Sequence, residues 1–298
     1  MAKRETRILA GIELGGTKTV AVLARGTDIF ERVRFPTTSP HETLHLLGER
    51  LGRWDKIHPI AALGIASFGP LGIDAGRPQY GQILDTPKPG WSGADLLGPL
   101  AGIVDAPVAL HTDVTAAALA EGKWGAARGC SDHVYITVGT GIGMGIVVAG
   151  QPVSGQLHPE AGHMRVARAF DDDFTGCCPF HGDCLEGLAS GIAIAQRAGR
   201  PGAKVADDDP LWAAVVEAIA QACANLRLTL ACERIVLGGG IIEGRAMLAP
   251  WIAERASQLI GGYLPDAPET IVTAALGEDA GPRGALLMAE CALERSRR

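Results

Sequence analysis

The chain has 298 residues, of which 47% are hydrophobic and 40 are glycine, and its formal charge is −6 from 27 basic and 33 acidic side chains. That is ample apolar material for a core and more length than one ordinary domain needs, so two domains are expected. No basic run is present to neutralise a nucleic-acid backbone, and no apolar stretch is expected to approach the roughly 20 residues of a membrane-spanning helix, which argues against both partners.

The charged start, Met1 to Arg7, runs straight into a strand-like segment without an apolar signal region, so a cytoplasmic location is expected. Ile8 to Leu14 and Val20 to Ala24 are apolar runs joined by Gly15-Gly16-Thr17-Lys18-Thr19, the pattern of a hairpin with a glycine-rich turn. His41 to Asp55 carries Leu44, Leu47 and Leu51 at helical spacing, and Ile60 to Ser67 is strand-like. Asp74 to Trp91 is rich in Gly and Pro and is expected to be a long loop with short strands. Val108 to His111 predicts a strand and Thr115 to Trp124 an Ala-rich helix, with Asp113 just before it. Asp132 to Gly150 then repeats the opening pattern, strand, Gly139-Thr140-Gly141-Ile142-Gly143, strand, which predicts a duplicated architecture. Leu185 to Arg197, Leu211 to Ala231 and Ala246 to Ile260 read as helices. Ile235 to Leu237 is a strand that stops at Gly238-Gly239-Gly240, and Gly284 to Glu294 is a final helix.

Backbone N–H groups gathered in a tight turn can hold a phosphate without a Walker loop, and glycine lets the backbone come close. Gly15, Gly16, Thr17 and Lys18 supply one such turn. Thr137, Gly139, Thr140 and Gly141 supply a second, and the two facing each other across a cleft would grip a polyphosphate. Gly238, Gly239 and Gly240 would let an adenine or ribose lie flat. Neither the Walker pattern nor the dinucleotide fingerprint fits. Any one turn alone is more simply a hairpin; three together point to a nucleotide.

Several stretches then carry a resemblance. They are Gly11 to Lys18, Phe68-Gly69-Pro70, Thr86 to Trp91, Thr112 to Ala118, Trp124 to Ala127, Thr137 to Gly143, His158 to His163 and Cys178 to Gly187. In this order, with the glycines at 238 to 240, the chain resembles the ROK family of sugar kinases and repressors, and specifically its bacterial fructokinase branch. The resemblance implies an α/β protein of the two-domain actin-like ATPase (ribonuclease H-like) fold with an interdomain cleft, residues 1–113 plus 282–298 forming one domain and 114–281 the other. It implies ATP, magnesium, a hexose substrate and a homodimer.

Asp is a favoured N-cap, and by residue type Asp113 reads as one. The resemblance makes it the catalytic base, accepting a sugar hydroxyl's proton during attack on the γ-phosphate. It also implies sugar contacts from Gly69, Glu160, His163 and Glu186, whose carboxylates and imidazole suit a polyol. Glu13 would hold magnesium through water, or else stand simply as a charged residue at a strand end. Thr115 departs from the fructokinase pattern, which has Asn there.

Cysteine supplies a further signal. Cys178-x2-His181-x2-Cys184 places three ligands within seven residues, and His163 lies fifteen residues before Cys178. Cys2His2 with no open position reads as a closed, structural zinc, and this set also resembles the fructokinase branch. The neighbouring Cys177 is assigned no ligand role, and His158 reads as a loop residue. Three alternatives stand beside fructose phosphorylation: a kinase for glucose, mannose or an N-acetylhexosamine; a sugar-sensing repressor, which would need a helix-turn-helix ahead of a first strand that starts near residue 7; and a non-catalytic binding protein.

Overall fold

The computed structural model describes residues 7–265 and 270–297; the charged segment at 1–6 lies outside the described residues. The chain divides into two compact units. One comprises the residues through Ala120, the segment Ser154–His158, and the chain from Glu278 onward; the other comprises Glu121–Val153 and Pro159–Gly277. The domain boundary expected at 113/114 therefore differs from this partition, in which the first unit runs on to Ala120. The cause is close packing: a Cβ at Gly284 would overlap the carbonyl of Ala116, so this part of the helix sits hard against the returning chain.

The first unit opens with β1 (Ile8–Leu14), β2 (Lys18–Arg25) and β3 (Asp28–Pro36). Helix α1 (Pro40–Ile57) follows, started by Ser39, whose hydroxyl accepts the Glu42 N–H, with Pro40 in the first turn where its missing N–H costs nothing. Then come β4 (Ala62–Ser67), α2 (Leu97–Ala101), β5 (Val108–Thr112) and α3 (Asp113–Trp124). Between β4 and α2 the expected short strands are reduced to bridges, Leu71 to Ile83 and Gln82 to Asp95. The sheet order is β3-β2-β1-β4-β5, with β2 antiparallel to its neighbours and β1, β4 and β5 parallel.

The second unit holds β6 (His133–Val138), β7 (Ile142–Val148), β8 (Gln151–Pro152), α4 (Leu185–Ala189), α5 (Gly191–Ala198), α6 (Leu211–Leu230), β9 (Arg234–Gly238), α7 (Gly240–Glu243), α8 (Leu248–Ile260) and β10 (Ile271–Thr273). Its sheet runs β10-β9-β6-β7-β8, with β6 antiparallel to β7 and parallel to β9. Each strand has a counterpart in the first sheet, so the expected duplication is present. The single helix expected from Leu185 to Arg197 is two. Ser190 is extended (φ −69°, ψ 166°), its hydroxyl caps α5 at Ala193 N–H, and Gly191 N–H is drawn to the Gly139 carbonyl at 2.7 Å. A long-range bond overrides the local pattern.

α6 corrects one expectation. It is long and apolar enough to cross a membrane by length and composition. Here its apolar face is core: Trp212, Val215, Ile219, Ala222, Cys223 and Leu226 are buried with residues of α4, α8 and the sheet. The closing helix, α9 (Ala280–Arg295), belongs to the first unit and covers one face of its sheet, burying Leu286, Ala289 and Leu293 against Leu9, Val20, Val22 and Ala62. The other face packs against α1 through Leu47, Leu51 and Trp54.

Glu121 is fully buried without a cationic partner among the described residues. Its carboxylate instead accepts backbone N–H groups from Ala126 (2.7 Å), Ala275 (3.1 Å) and Leu276 (2.9 Å), tying the end of α3 to the chain after β10. Glu121→Ala removes the acceptor of three part-buried backbone donors and is expected to lower the unfolding free energy by about 2 kcal/mol or more in urea titration. A loss below about 1 kcal/mol would show that water or local shifts satisfy those amides.

Candidate active site and metal centre

Leu14, Ser67 and Thr112 stand level in three adjacent parallel strands of the first unit. The residues just beyond those carboxyl ends are Gly15, Phe68-Gly69 and Asp113. Ligands of α/β sheets are commonly bound at the carboxyl ends of parallel strands, and this is where the predicted nucleotide turn, sugar turn and base emerge together.

Gly15 N–H closes the first turn on the Lys18 carbonyl at 2.9 Å, so that amide is spent within the turn. Thr37 Oγ1 donates to the Gly15 carbonyl and is paired with Thr19 Oγ1, which fixes the turn from below. Thr17 is exposed and Gly16 has open space above it. Lys18 is held by Glu278, Nζ to Oε1 2.7 Å, and Glu278 also meets Arg34 at 3.3 Å.

Asp113 is not the N-cap. Thr112 Oγ1 takes that role, accepting Thr115 N–H at 3.3 Å and donating to Thr115 Oγ1 at 2.8 Å; Asp113 is the first residue of α3 and accepts Val114 N–H at 2.8 Å. Its carboxyl is thereby free of capping duty. Burial pushes it up to about 6, against the pull of backbone N–H groups. Thr115 is buried, and its hydroxyl is engaged with that cap.

Glu13 lies near enough to feel Asp113. It is pushed up to about 7, first by burial and then by the Asp113 charge, with Lys18 pulling the other way. Its Oε2 is buried with no hydrogen-bond partner among the described residues. Room for it exists because residue 281 is glycine: a Cβ there would stand 2.5 Å from the Glu13 carboxyl carbon. Two carboxyls raised by burial, one of them also by its neighbour's charge and carrying an orphaned oxygen, suit a hard divalent cation or its water.

Gly69 precedes Pro70 through a cis peptide, and Leu71 N–H donates to His158 Nε2 at 2.9 Å. His158 was expected to be a plain loop residue; it is buried and anchors this turn.

In the second unit the carboxyl ends of β6 and β9 are level, Thr137 against Gly238. The turn after β6 closes through Gly139 N–H to Gly141 O at 2.9 Å. Gly239 adopts φ +89°, and a Cβ there would stand 2.6 Å from both Thr137 Oγ1 and the Val138 carbonyl, so only glycine lets the two turns meet. Thr137, Gly139, Thr140, Gly141 and Gly238 to Gly240 are thus gathered at the carboxyl ends of two central strands. Glu186 Oε2 accepts Ile142 N–H at 3.0 Å, fastening α4 to the same turn, while its Oε1 lies 4.0 Å from His163 Nδ1. Glu160 is exposed, and its carbonyl accepts His163 N–H.

His163, Cys178, His181 and Cys184 converge, all four ligand atoms lying within 4.8 Å of one another. The chain brings them there by local pairing. Cys178 and Gly182 exchange backbone hydrogen bonds, which turns His181 back towards Cys178, and Leu185 N–H donates to the Met164 carbonyl, which sets His163 beside Cys184. Cys177 is not in this set and bonds Ser190 instead.

A model described as the ROK family matches residues 9–292. The chain belongs to the ROK family. Fructokinase from Pediococcus pentosaceus is 41% identical over 290 residues, covering 96% of this chain and 99% of its own. Fructokinase from Zymomonas mobilis subsp. mobilis is 40% identical over 301 residues, covering 96% and 98%. Among solved structures, a ROK hexokinase from Thermus thermophilus superposes with a TM-score of 0.78 at 28% identity, covering 97% of this chain and 99% of its own. The two similar sheets found here are consistent with the actin-like ATPase fold expected of a ROK kinase.

The metal donors of this ROK protein pass a geometric test. Tetrahedral zinc with Zn–S near 2.3 Å and Zn–N near 2.05 Å requires S···N separations of about 3.6 Å. Cys178 Sγ lies 3.6 Å from both His163 Nδ1 and His181 Nδ1, and Cys184 Sγ lies 3.5 Å from His163 Nδ1. Burial pushes the Cys184 thiol up to about 11, so holding it as a thiolate requires a cation of this kind. Sequence reasoning missed Glu278, His158 and the Thr112 cap. Only the last had a local signal, the pair of threonines three apart.

Proposed function

We propose that this chain transfers the γ-phosphate of ATP to a hexose, with fructose as the preferred sugar and fructose 6-phosphate as the product. What carries the proposal is near-full-length identity of about 40% to proteins named fructokinase, together with a half-buried Asp113, free of capping duty, at the carboxyl end of β5. Asp113 accepts the proton of the attacking hydroxyl as the new O–P bond forms and the bond to ADP breaks. Gly69, Glu160, His163 and Glu186 hold the sugar. In this scheme Gly16, Thr17, Lys18, Thr140 and Gly141 line the phosphates, the turns of Gly15, Thr137 and Gly139 shape that lining, and Gly238 to Gly240 bear the adenosine. Magnesium, held through Glu13 and water, would neutralise phosphate charge. Zinc on His163, Cys178, His181 and Cys184 would be structural and would fix the His163 ring for the sugar.

A homodimer follows from the family resemblance. A cytoplasmic site is supported by free cysteines, two of them in the metal set. The acidic balance favours no nucleic-acid partner, and no membrane partner is invoked.

ADP release measured with ATP and magnesium across fructose, mannose, glucose and N-acetylmannosamine tests the proposal. Fructose is expected to give the highest kcat/KM. A higher value for another hexose removes fructose, and the engaged Thr115 hydroxyl, where the fructokinase pattern has Asn, is the place to look for the cause. Absence of turnover on every sugar removes the kinase.

A further inference from the structure

Lys88 belongs to Thr86-Pro87-Lys88-Pro89-Gly90-Trp91, a stretch that on sequence marks the fructose branch. The structure places its charge elsewhere. Lys88 Nζ donates to the Gly16 carbonyl at 2.6 Å and reaches the Thr37 carbonyl at 3.5 Å, so the ammonium sits on the nucleotide turn.

Three observations give this ammonium a job beyond bracing. First, its hydrogen-bond partners among the described residues are carbonyl oxygens, which leave its charge uncompensated, and an ammonium has a third N–H to give. Lys18, the cation that the sequence assigns to the phosphates, is by contrast offset by Glu278 at 2.7 Å. Second, the turn is crowded with acid: Glu13 feels Asp113 and Glu278. A polyphosphate brought there needs more positive charge than a half-neutralised Lys18 supplies. Third, Lys88 is held in advance. It stands between two prolines, Trp91 beside it is buried and donates Nε1–H to the Thr38 carbonyl at 2.8 Å, and Thr86 N–H bonds Ser92 Oγ at 3.1 Å. The open space above Gly16 leaves room for a phosphate next to it.

We propose that Lys88 binds the terminal phosphate of the nucleotide, so that the 86–91 loop acts on the phosphoryl donor. This rests on the kinase function proposed above. A charge-assisted N–H···O contact to a phosphate oxygen that gains charge during transfer lowers the barrier as well as the dissociation constant.

The test compares wild type, Lys88→Gln and Lys88→Arg in calorimetric titrations with magnesium and either ADP or a non-hydrolysable ATP analogue, with melting temperatures to verify folding. Lys88→Gln is expected to weaken the analogue by about tenfold or more and ADP by less than threefold, with Lys88→Arg in between. In turnover, kcat/KM for ATP should fall while the KM for sugar holds. Equal weakening of both nucleotides would assign Lys88 to bracing Gly16 only, and an unchanged analogue affinity would also overturn the proposal. Because the titrations need no sugar, they read Lys88 even if every sugar in the panel fails, which would count against the kinase function alone.

Discussion

Asp113→Asn is expected to lower kcat by about 10²–10⁴-fold and to raise the melting temperature of the ligand-free protein at pH 7. The first effect is loss of the base. The second comes from burial. The carboxyl titrates at about 6 in the fold against an ordinary 3.8, so the fold favours its neutral form. Stability from this group is fully present below about pH 3.8 and is lost as the pH rises through about 6. At pH 7 the folded protein therefore carries an ionised, desolvated carboxylate at a cost on the order of 1–3 kcal/mol, which the amide avoids. Asn can still accept Val114 N–H, so the helix start survives. In the wild type, kcat/KM should fall with unit slope below about pH 6, and in the variant that limb should vanish. A variant within fivefold of wild-type kcat would remove Asp113 as base; a lower melting temperature would show that its charge is stabilised by something other than the groups described.

The second large effect concerns the metal. Purified protein is expected to carry about one zinc per chain by elemental analysis, and Cys178→Ser with Cys184→Ser none. The double variant should lose several degrees or more of melting temperature and show a raised KM for sugar, since His163 loses the ion that fixes its ring. Magnesium-ATP affinity should change less. Metal-free protein with an unchanged melting temperature would mean that the thiols and imidazoles hold one another by hydrogen bonds alone.

What the sequence disclosed divides by range. The turns at Gly15–Lys18 and Gly139–Gly141 were legible because apolar runs and glycines are local signals, and the Cys178–His181–Cys184 spacing is equally local. β3 was missed although Ile29, Glu31, Val33 and Phe35 turn inward at period two, because its outward face holds Phe30 among charges. The break at Ser190 was hidden by helical spacing that continues across it; its cause, the Gly139 carbonyl, lies far away in the chain. Lys88 and Glu121 escaped for the same reason, since their partners at Gly16, Ala275 and Leu276 are distant in sequence. Asp113 was placed one residue out of role because Thr112 and Asp113 are both good caps, and only backbone geometry decides which one serves.

The position of α9 has a consequence for biosynthesis. The sheet of β1 to β5 leaves the ribosome before the second sheet, yet the face carrying Leu9, Val20, Val22 and Ala62 is covered by a helix translated after both sheets. Gly64 admits that helix so closely that a Cβ would overlap the Ala285 carbonyl, so little else of ordinary shape can stand in for it. The second unit, by contrast, is complete once Gly277 has emerged. The half that is made first is thus finished last, and during that interval its bare apolar face is what a nascent-chain chaperone would meet.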